Sequence, residues 1–236
     1  MRESSINWFE IKVVIFDVDG TLYDQVCLRR KMVMELLRAF LRSKISLCEV
    51  GILRCFRTTR EGLADASVRN LERIQYKEVA NRLGVSPDHV RSVVDRWIYN
   101  RPLRFVKRCR FPGVKEFFEA LQRESIKIAV FSDYPASEKL LKLELNADLI
   151  RVSTDPDVDE LKPNPRGLIT ISRDFNVSPR QCLMIGDRQD RDGKAASRAG
   201  MGFLMKSRRQ ATPNSFADYF SLINVITKAH GSGTQS

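Results

Sequence analysis

From residue 113 to residue 206 the sequence alternates between amphipathic helical segments and short apolar runs. This alternation predicts parallel strands joined by helical crossovers, as in an α/β layered sheet. The apolar run at 12–16 is a further buried strand, and it must join the same sheet because a lone strand would leave its backbone unpaired. The predicted helices are 113–123, 137–145, 165–175 and 190–199, and the predicted strands are 126–131, 149–153, 182–185 and 202–206.

The segment 25–108 interrupts this alternation with helical patterns only. Gly84 ends one predicted helix, and Ser86 with Pro87 begins the next as an N-cap followed by proline at the first helical position. A final helix is predicted at 216–228. We therefore expect an α/β fold, with a Rossmann-like three-layer core around a mostly parallel sheet and an inserted all-helical cap domain. The expected division is a core at 1–24 and 109–230, a cap at 25–108 and a flexible tail at 231–236.

The net charge of +11 is concentrated near the cap. The segment 24–111 holds 20 Lys and Arg against nine Asp and Glu, whereas the rest of the chain holds 20 of each. The simplest interpretation of this excess is a solvated face. Arg54, Arg57 and Arg60 nevertheless recur at three-residue spacing, so they are candidates to bind the distal part of a substrate. The stripes of Met, Phe and Leu in the cap are interpreted as its own core.

Other features of the composition narrow the class of protein. No apolar run approaches the ~20 residues of a membrane-spanning helix, and residues 1–12 lack the layout of a signal peptide, so a cytoplasmic location is expected. The five cysteines have no short paired spacing, which predicts reduced packing residues rather than a zinc site or a disulfide framework. Only two histidines are present, so catalysis is expected to depend on carboxylates and lysine.

Four motifs fall at or after the ends of predicted strands, where ligands bind in open α/β sheets. They are Asp17-x-Asp19-Gly20-Thr21, Ser132-Asp133, Lys162-Pro163 and Gly186-Asp187-Arg188 with Asp192. This ordered set resembles the haloacid dehalogenase superfamily of phosphohydrolases, and most of all its phosphoglycolate-phosphatase-like branch with a helical cap between the first two motifs. The resemblance implies a Mg²⁺-dependent phosphatase.

The resemblance also implies a role for each motif. Asp17 would attack phosphorus to form an aspartyl-phosphate, and Asp19 would protonate the leaving alcohol and then activate water. Ser132 and Lys162 would hold the phosphoryl oxygens. The Asp17 carboxylate, the Asp19 carbonyl and Asp187 would bind Mg²⁺, and Asp192 would support the metal or orient Lys162. Gly20 would allow close backbone approach, and Thr21 would cap the following turn. Both would belong, with Asp133, to the substrate-binding residues.

Two positions depart from the pattern of that superfamily. Asp133 stands where asparagine is common, which adds a negative charge near an anionic substrate. Asp190 competes with Asp192 as the residue that assists the metal, and the sequence leaves this choice open. Asp19 itself favours phosphate chemistry, since the true dehalogenases of the superfamily lack an aspartate at this position.

The function therefore has a first interpretation and two alternatives. The first is hydrolysis of a small phosphorylated metabolite, such as a sugar phosphate or a lipid-linked phosphate. The first alternative is a phosphomutase with the same core chemistry. The second is a protein that has lost catalysis and binds nucleic acid or an anionic membrane through its basic cap. No nucleic-acid partner is expected under the first interpretation, and peripheral contact with an anionic membrane surface stays open.

Overall fold

A computed structural model describes residues 6–64, 66, 68–208 and 212–231. Its centre is a six-stranded parallel sheet in the order β3-β2-β1-β4-β5-β6. The predicted α/β fold with a parallel sheet is confirmed. The strands are β1 (Val13–Phe16), β2 (Lys127–Ser132), β3 (Leu149–Val152), β4 (Cys182–Gly186), β5 (Gly202–Lys206) and β6 (Ser215–Phe216).

Six α-helices lie between β1 and β2 along the chain, the first five of them within 25–108, and the described residues between these two strands form no named strand. The division into a core and a cap at 25–108 stays a prediction, and "cap" below denotes that segment. A π-helical turn at Asp95–Asn100 follows the fourth helix. The α-helices are α1 (Gln25–Leu41), α2 (Leu47–Leu63), α3 (Leu71–Leu83), α4 (Pro87–Val94), α5 (Leu103–Val106), α6 (Val114–Arg123), α7 (Ser137–Leu143), α8 (Arg166–Asp174), α9 (Lys194–Ala199) and α10 (Tyr219–Gly231).

Alternate residues of β1 pack against opposite layers of helices. Val14 and Phe16 face the layer that contains α6, α7 and α10, whereas Val13 and Ile15 face α8 and α9. All four side chains are fully buried. A strand covered on both faces needs a continuous apolar run, which is the pattern that the sequence shows at this point.

β1 also determines where the site lies. It pairs with β2 on one side and with β4 on the other, so the strand order reverses at β1. Ligands bind at the carboxyl ends of strands where the order reverses, because the crossover helices diverge there and leave a crevice. The residues that follow β1, β2 and β4 therefore meet at one edge of the sheet.

Local signals within the cap predicted helix ends well. α3 is followed by Gly84 at φ 65°, a left-handed conformation that glycine adopts without strain. Ser86 caps α4 by accepting a hydrogen bond from His89 N. The prediction for the last helix was less accurate, because Phe216 pairs with β5 as part of β6 and the helix begins at Tyr219. Gly231 ends this helix rather than beginning a tail, and 232–236 lie outside the described residues.

The prediction that the cysteines are reduced is wrong for one pair. Cys27 and Cys109 form a disulfide across 82 residues of sequence. They become neighbours because the two chain segments that enter and leave the cap pair with each other. Asp24 N donates to Cys109 O at 2.8 Å, and Phe111 N donates to Leu22 O at 3.2 Å. Spacing along the sequence gives no sign of this proximity.

None of the helices in the described ranges combines the length and the apolar character needed to cross a membrane.

Candidate active site

Lys162 Nζ lies at the centre of a buried ion-pair network. It is 2.6 Å from Asp17 Oδ1 and 2.7 Å from Asp192 Oδ1, and it also donates to Phe131 O at 3.4 Å. Lys162 and Asp192 are only 2% and 1% exposed. Asp17 directly follows β1, Asp192 follows β4, and Lys162 lies in the loop after β3. The parallel sheet has therefore brought three separate motifs within hydrogen-bonding distance.

A second contact to Asp17 comes from Thr21, in the loop that follows β1. Thr21 is fully buried, and its Oγ1 donates to Asp17 Oδ2 at 3.2 Å. Each oxygen of the Asp17 carboxylate thus has a partner, one cationic and one neutral. The role that the structure gives to the Thr21 hydroxyl is to orient this carboxylate.

The carboxylates of Asp17, Asp187 and Asp192 form a group with the chemistry of a hard-cation site. One oxygen from each lies within 4.8 Å of the other two. Burial raises the pKa of Asp187 to about 6, with a further contribution from Asp192. Burial also raises the pKa of Asp17, as do Asp192 and Asp187, although Lys162 opposes the change. Three carboxylates against one ammonium leave an excess of negative charge, so these residues fit a divalent cation with oxygen ligands.

The structure separates the two candidates for the supporting aspartate. Asp192 Oδ2 accepts a hydrogen bond from Arg188 N at 3.0 Å, and its other oxygen bonds to Lys162. Asp190 is exposed and pairs with the guanidinium of Arg188 at 2.9 Å. Asp192 lies in the carboxylate cluster, and Asp190 belongs to a surface ion pair.

Two glycines make this close packing sterically feasible. Gly20 has φ 96°, and a Cβ at this position would lie 2.1 Å from Asp187 Oδ2. A Cβ on Gly186 would lie 2.4 Å from Asp192 Cγ. Any side chain at either position would displace a carboxylate of the cluster, so the two motifs need glycine here for steric reasons.

Asp19 is held by residues that the sequence analysis missed. Lys139 Nζ contacts both carboxylate oxygens of Asp19, at 2.6 and 2.9 Å, and Tyr23 OH donates to the same carboxylate. Burial alone would raise the pKa of Asp19, but Lys139 lowers it below the ordinary value. Lys139 lies in the first turn of α7, seven residues after Ser132. The sequence did hold one signal for this role, since Lys139 lies in the predicted helix that directly follows a strand with site residues at its end.

Ser132 and Asp133 occupy the end of β2. Ser132 is buried, and its Oγ accepts a hydrogen bond from Tyr134 N at 3.2 Å. Asp133 Oδ1 accepts a hydrogen bond from Lys162 N at 3.2 Å. The Asp133 carboxylate thus fixes the backbone that carries Lys162, which gives its negative charge a structural role.

These groups open into a cavity of about 520 Å³ between the strand ends and the cap. Its floor contains the catalytic candidates, and its walls come from α1, α2 and the segment after α4. Both cations and apolar side chains line it. The residues that line the cavity are Asp17, Asp19, Tyr23, Gln25, Leu28, Arg29, Met32, Val33, Leu36, Arg57, Glu61, Ile98, Pro102, Ser132, Asp133, Tyr134, Lys139, Lys162, Asp187, Arg188, Arg191 and Asp192.

The three predicted cap arginines have different surroundings. Arg57 lines the cavity, and Arg54 is exposed elsewhere on α2. Arg60 is buried, donates to the Asp133 main-chain oxygen and to the Gln75 side chain, and stacks over Tyr134 with its Cζ 4.6 Å from the ring centroid. Arg60 therefore connects the cap to the strand-end loop.

Glu61, the neighbour of Arg60, makes a second connection that the sequence analysis missed. Its carboxylate is 3.0 Å from Arg188 Nη1 and 2.9 Å from Arg191 Nη2. Arg191 also donates to Lys162 O at 3.2 Å. The C-terminal turn of α2 thus contacts two of the loops that carry catalytic candidates, which places the cap over the site.

Comparison with known proteins agrees with this geometry. A sequence model of the family described as "haloacid dehalogenase-like hydrolase" matches residues 11–200. The chain belongs to this hydrolase family. The matched region of this haloacid dehalogenase-like hydrolase includes all four motifs and the cap.

Relatives and solved structures share most of its length. It is 27% identical over 198 residues to a glyceraldehyde 3-phosphate phosphatase of Methanopyrus kandleri, covering 81% of this chain and 82% of the relative. A phosphatase of the same name from Pyrococcus furiosus is 24% identical, with coverages of 81% and 78%. The crystal structure of β-phosphoglucomutase from Clostridium difficile superposes with a TM-score of 0.60 at 17% identity, covering 94% of this hydrolase and 98% of that chain. The structural likeness shows that the fold is shared.

Proposed function

We propose that this hydrolase is a Mg²⁺-dependent phosphatase that cleaves phosphomonoesters through an aspartyl-phosphate on Asp17. The observation that carries the proposal is the pairing of Lys162 with both Asp17 and Asp192 beneath an open cavity. A carboxylate oriented on one side by a cation and on the other by Thr21 is positioned to act as a nucleophile. The relatives named as phosphatases support the same reaction.

In the first step an oxygen of Asp17 attacks phosphorus. The bond between that oxygen and phosphorus forms as the bond to the leaving alcohol breaks. Asp19 lies two residues further on and lines the same cavity. Lys139 favours its ionised form in the free protein, whereas the negative charge of a bound phosphoryl group favours the protonated form, which gives its proton to the departing oxygen. Lys139 and Tyr23 restrict the Asp19 carboxylate to one position during this transfer.

In the second step water hydrolyses the aspartyl-phosphate. Asp19, now deprotonated, removes a proton from water as its oxygen attacks phosphorus, and the bond to Asp17 breaks. Inorganic phosphate leaves, and Asp17 returns to its starting state. The cap contacts made by Arg60 and Glu61 would limit bulk water, so that Asp19 controls which water reacts.

The anionic phosphoryl group needs positive charge and donors around it. Ser132 and Lys162 are the proposed donors to its oxygens. Asp17, the Asp19 carbonyl, Asp187 and Asp192 are the proposed metal site, and a bound Mg²⁺ would neutralise charge on the phosphoryl oxygens. The substrate is a small phosphorylated molecule. The contacts of Gly20, Thr21 and Asp133 support neighbouring groups of the site: Gly20 leaves room for Asp187, Thr21 orients Asp17, and Asp133 holds the backbone of Lys162.

The test combines product analysis with detection of the intermediate. Purified protein with Mg²⁺ is assayed for inorganic phosphate on aryl, sugar and glyceraldehyde phosphates. The Asp19→Asn variant is quenched with acid during turnover and measured by intact mass spectrometry, because the slow second step should leave a phosphoryl group on Asp17. Asp17→Asn serves as the control that carries none. Isomerised substrate without free phosphate would instead indicate a mutase, and an unmodified Asp19→Asn protein with full hydrolysis would contradict the covalent route.

A further inference from the structure

The wall of the cavity opposite the carboxylates is apolar. Leu28, Met32 and Leu36 lie along one side of α1, and Ile98 and Pro102 contribute from the segment after α4. Leu28 and Met32 are buried beside the site although they belong to the cap. These residues belong to the buried apolar core, as the interpretation of the cap's Met, Phe and Leu stripes expects, and they line the cavity as well.

The apolar surface continues beyond the cavity along α1. Val33, at the rim, is 61% exposed, and Phe40 is 46% exposed. Residues three and four apart lie on the same side of a helix, so Leu36 and Phe40 extend the line begun by Leu28 and Met32. At 1.5 Å per residue, this line covers about 18 Å of helix from Leu28 to Phe40.

Cations accompany this apolar line. Arg29 and Arg57 line the cavity itself, and Arg30 and Arg38 are exposed on α1. A ligand that matches both features has an anionic head at the carboxylate and lysine cluster and an apolar tail along α1. A three-carbon sugar phosphate leaves most of a cavity of about 520 Å³ unused, since pockets of this size hold drug-sized ligands.

We propose that the substrate is the phosphomonoester of an amphiphile, whose apolar chain leaves the active site along Leu28, Met32, Leu36 and Phe40 of α1. This inference rests on the proposed phosphatase function and specifies its substrate class. Because the apolar side of α1 is continuous with the catalytic cavity, we assign the apolar chain of the substrate, and no other group, to this surface. A second copy of the protein is the competing occupant.

The experiment measures kcat/KM for straight-chain alkyl phosphates of two to sixteen carbons, below their micelle-forming concentrations. Each methylene buried against apolar side chains should raise kcat/KM by up to about fourfold. The rise should come mainly from KM, because the tail contacts the protein equally before and during the reaction. A flat series, with normal turnover of ethyl phosphate, would overturn the amphiphile while leaving the phosphatase intact.

Two variants of matched exposure test the path of the chain. Phe40→Ser should reduce the gain per methylene for the longest substrates, whereas Met34→Ser should not. Met34 is 49% exposed on α1 but lies well around the helix from Leu36 and Phe40. Both side chains are exposed, so neither change endangers folding. Equal slopes for the parent and both variants would remove α1 from the binding path.

Further measurements distinguish a lipid substrate, a soluble amphiphile and a subunit interface. Turnover of phosphatidic acid in neutral vesicles would show that the enzyme takes its substrate from a bilayer. Turnover of dissolved octyl phosphate alone would assign a soluble amphiphile.

Light scattering of the parent protein and the two variants tests whether a second copy of the protein occupies α1 instead. A dimer that dissociates on Phe40→Ser, together with a flat chain-length series, would assign α1 to a subunit interface and overturn the proposal. Absence of phosphate release from every substrate would count against the phosphatase function itself.

Discussion

Lys139 Nζ lies within hydrogen-bonding distance of both oxygens of Asp19, although 120 residues separate the two in sequence. Both side chains are largely withdrawn from solvent. In the proposed mechanism Asp19 changes its protonation state twice in each catalytic cycle, so the position of its carboxylate affects both proton transfers. Lys139 is therefore proposed as a positioning residue for acid and base catalysis.

Lys139→Met should slow turnover by about 10- to 150-fold, the range for loss of a charge-assisted hydrogen bond. The loss should be larger for ethyl phosphate than for p-nitrophenyl phosphate, because the aryl leaving group needs little protonation. Asp19→Asn should likewise slow the turnover of ethyl phosphate more than that of p-nitrophenyl phosphate, with a loss of about 10²–10⁴-fold on the alkyl ester. Tyr23→Phe removes a single neutral donor and is the milder control. Equal losses on both esters for Lys139→Met would indicate a general folding defect.

Asp17→Asn should abolish phosphate release without lowering the melting temperature of the metal-free protein. The pKa of Asp17 is raised by burial, so its ionised form opposes folding as the pH rises above the unfolded value. The neutral amide removes that penalty at pH 7. Scanning calorimetry with a chelator present checks the prediction, and a marked drop in melting temperature would show that the ionised carboxylate stabilises the fold.

Lys162→Met should have the opposite effect on stability. It leaves Asp17 and Asp192 buried without their shared cation, and breaking a buried ion pair in this way typically costs about 3–5 kcal/mol. Urea unfolding at pH 7 measures the loss. Lowering the pH should restore part of it, because the carboxyl groups then become neutral. A Lys162→Met protein as stable as the parent would argue against the network as a structural element.

Mg²⁺ should raise the melting temperature through the carboxylate cluster. Saturation at 100 times the dissociation constant corresponds to about 2.7 kcal/mol of added stability. Asp192→Asn should diminish this shift, whereas Asp190→Asn should retain it, since Asp190 is exposed and paired with Arg188. Differential scanning fluorimetry with and without Mg²⁺ compares the three proteins. Loss of the shift in Asp190→Asn instead would assign the supporting role to that residue.

Substitutions of Arg54, Arg57 and Arg60 should have three different effects on stability and KM. Arg60→Met removes the Arg60 donor from the buried Gln75 Oε1 and one of the two donors to the Asp133 main-chain oxygen, which Ser153 Oγ also contacts. The loss should lower the free energy of unfolding by about 1–3 kcal/mol. Arg57→Gln should raise KM with little change in stability, because Arg57 lines the cavity. Arg54→Gln should change neither. Urea unfolding and steady-state kinetics on one substrate decide among them, and identical behaviour of Arg54→Gln and Arg60→Met would contradict the buried connection.

The sequence by itself determined five of the six strands of the sheet and the order of its site-forming loops. A strand buried on both faces requires an unbroken apolar run, so β1, β2 and β4 were recognisable, as were the carboxylates and lysine that follow strands. Gly84 and Ser86 marked helix ends because capping depends on neighbours within a few residues. These features are local, and local interactions can be inferred from short stretches of chain.

Only the tertiary structure decided which distant side chains meet. The Lys139–Asp19 pair, the bridge from Glu61 to Arg188 and Arg191, and the Cys27–Cys109 disulfide all join segments far apart in sequence. The placement of Asp192 in the carboxylate cluster, and of Asp190 in an ion pair with Arg188, depends on how one short π-helical turn orients the two side chains. The apolar side of α1 likewise lines the cavity only because the cap lies over the strand ends, since a hydrophobic stripe looks the same in sequence whether it packs on protein or lines a cavity.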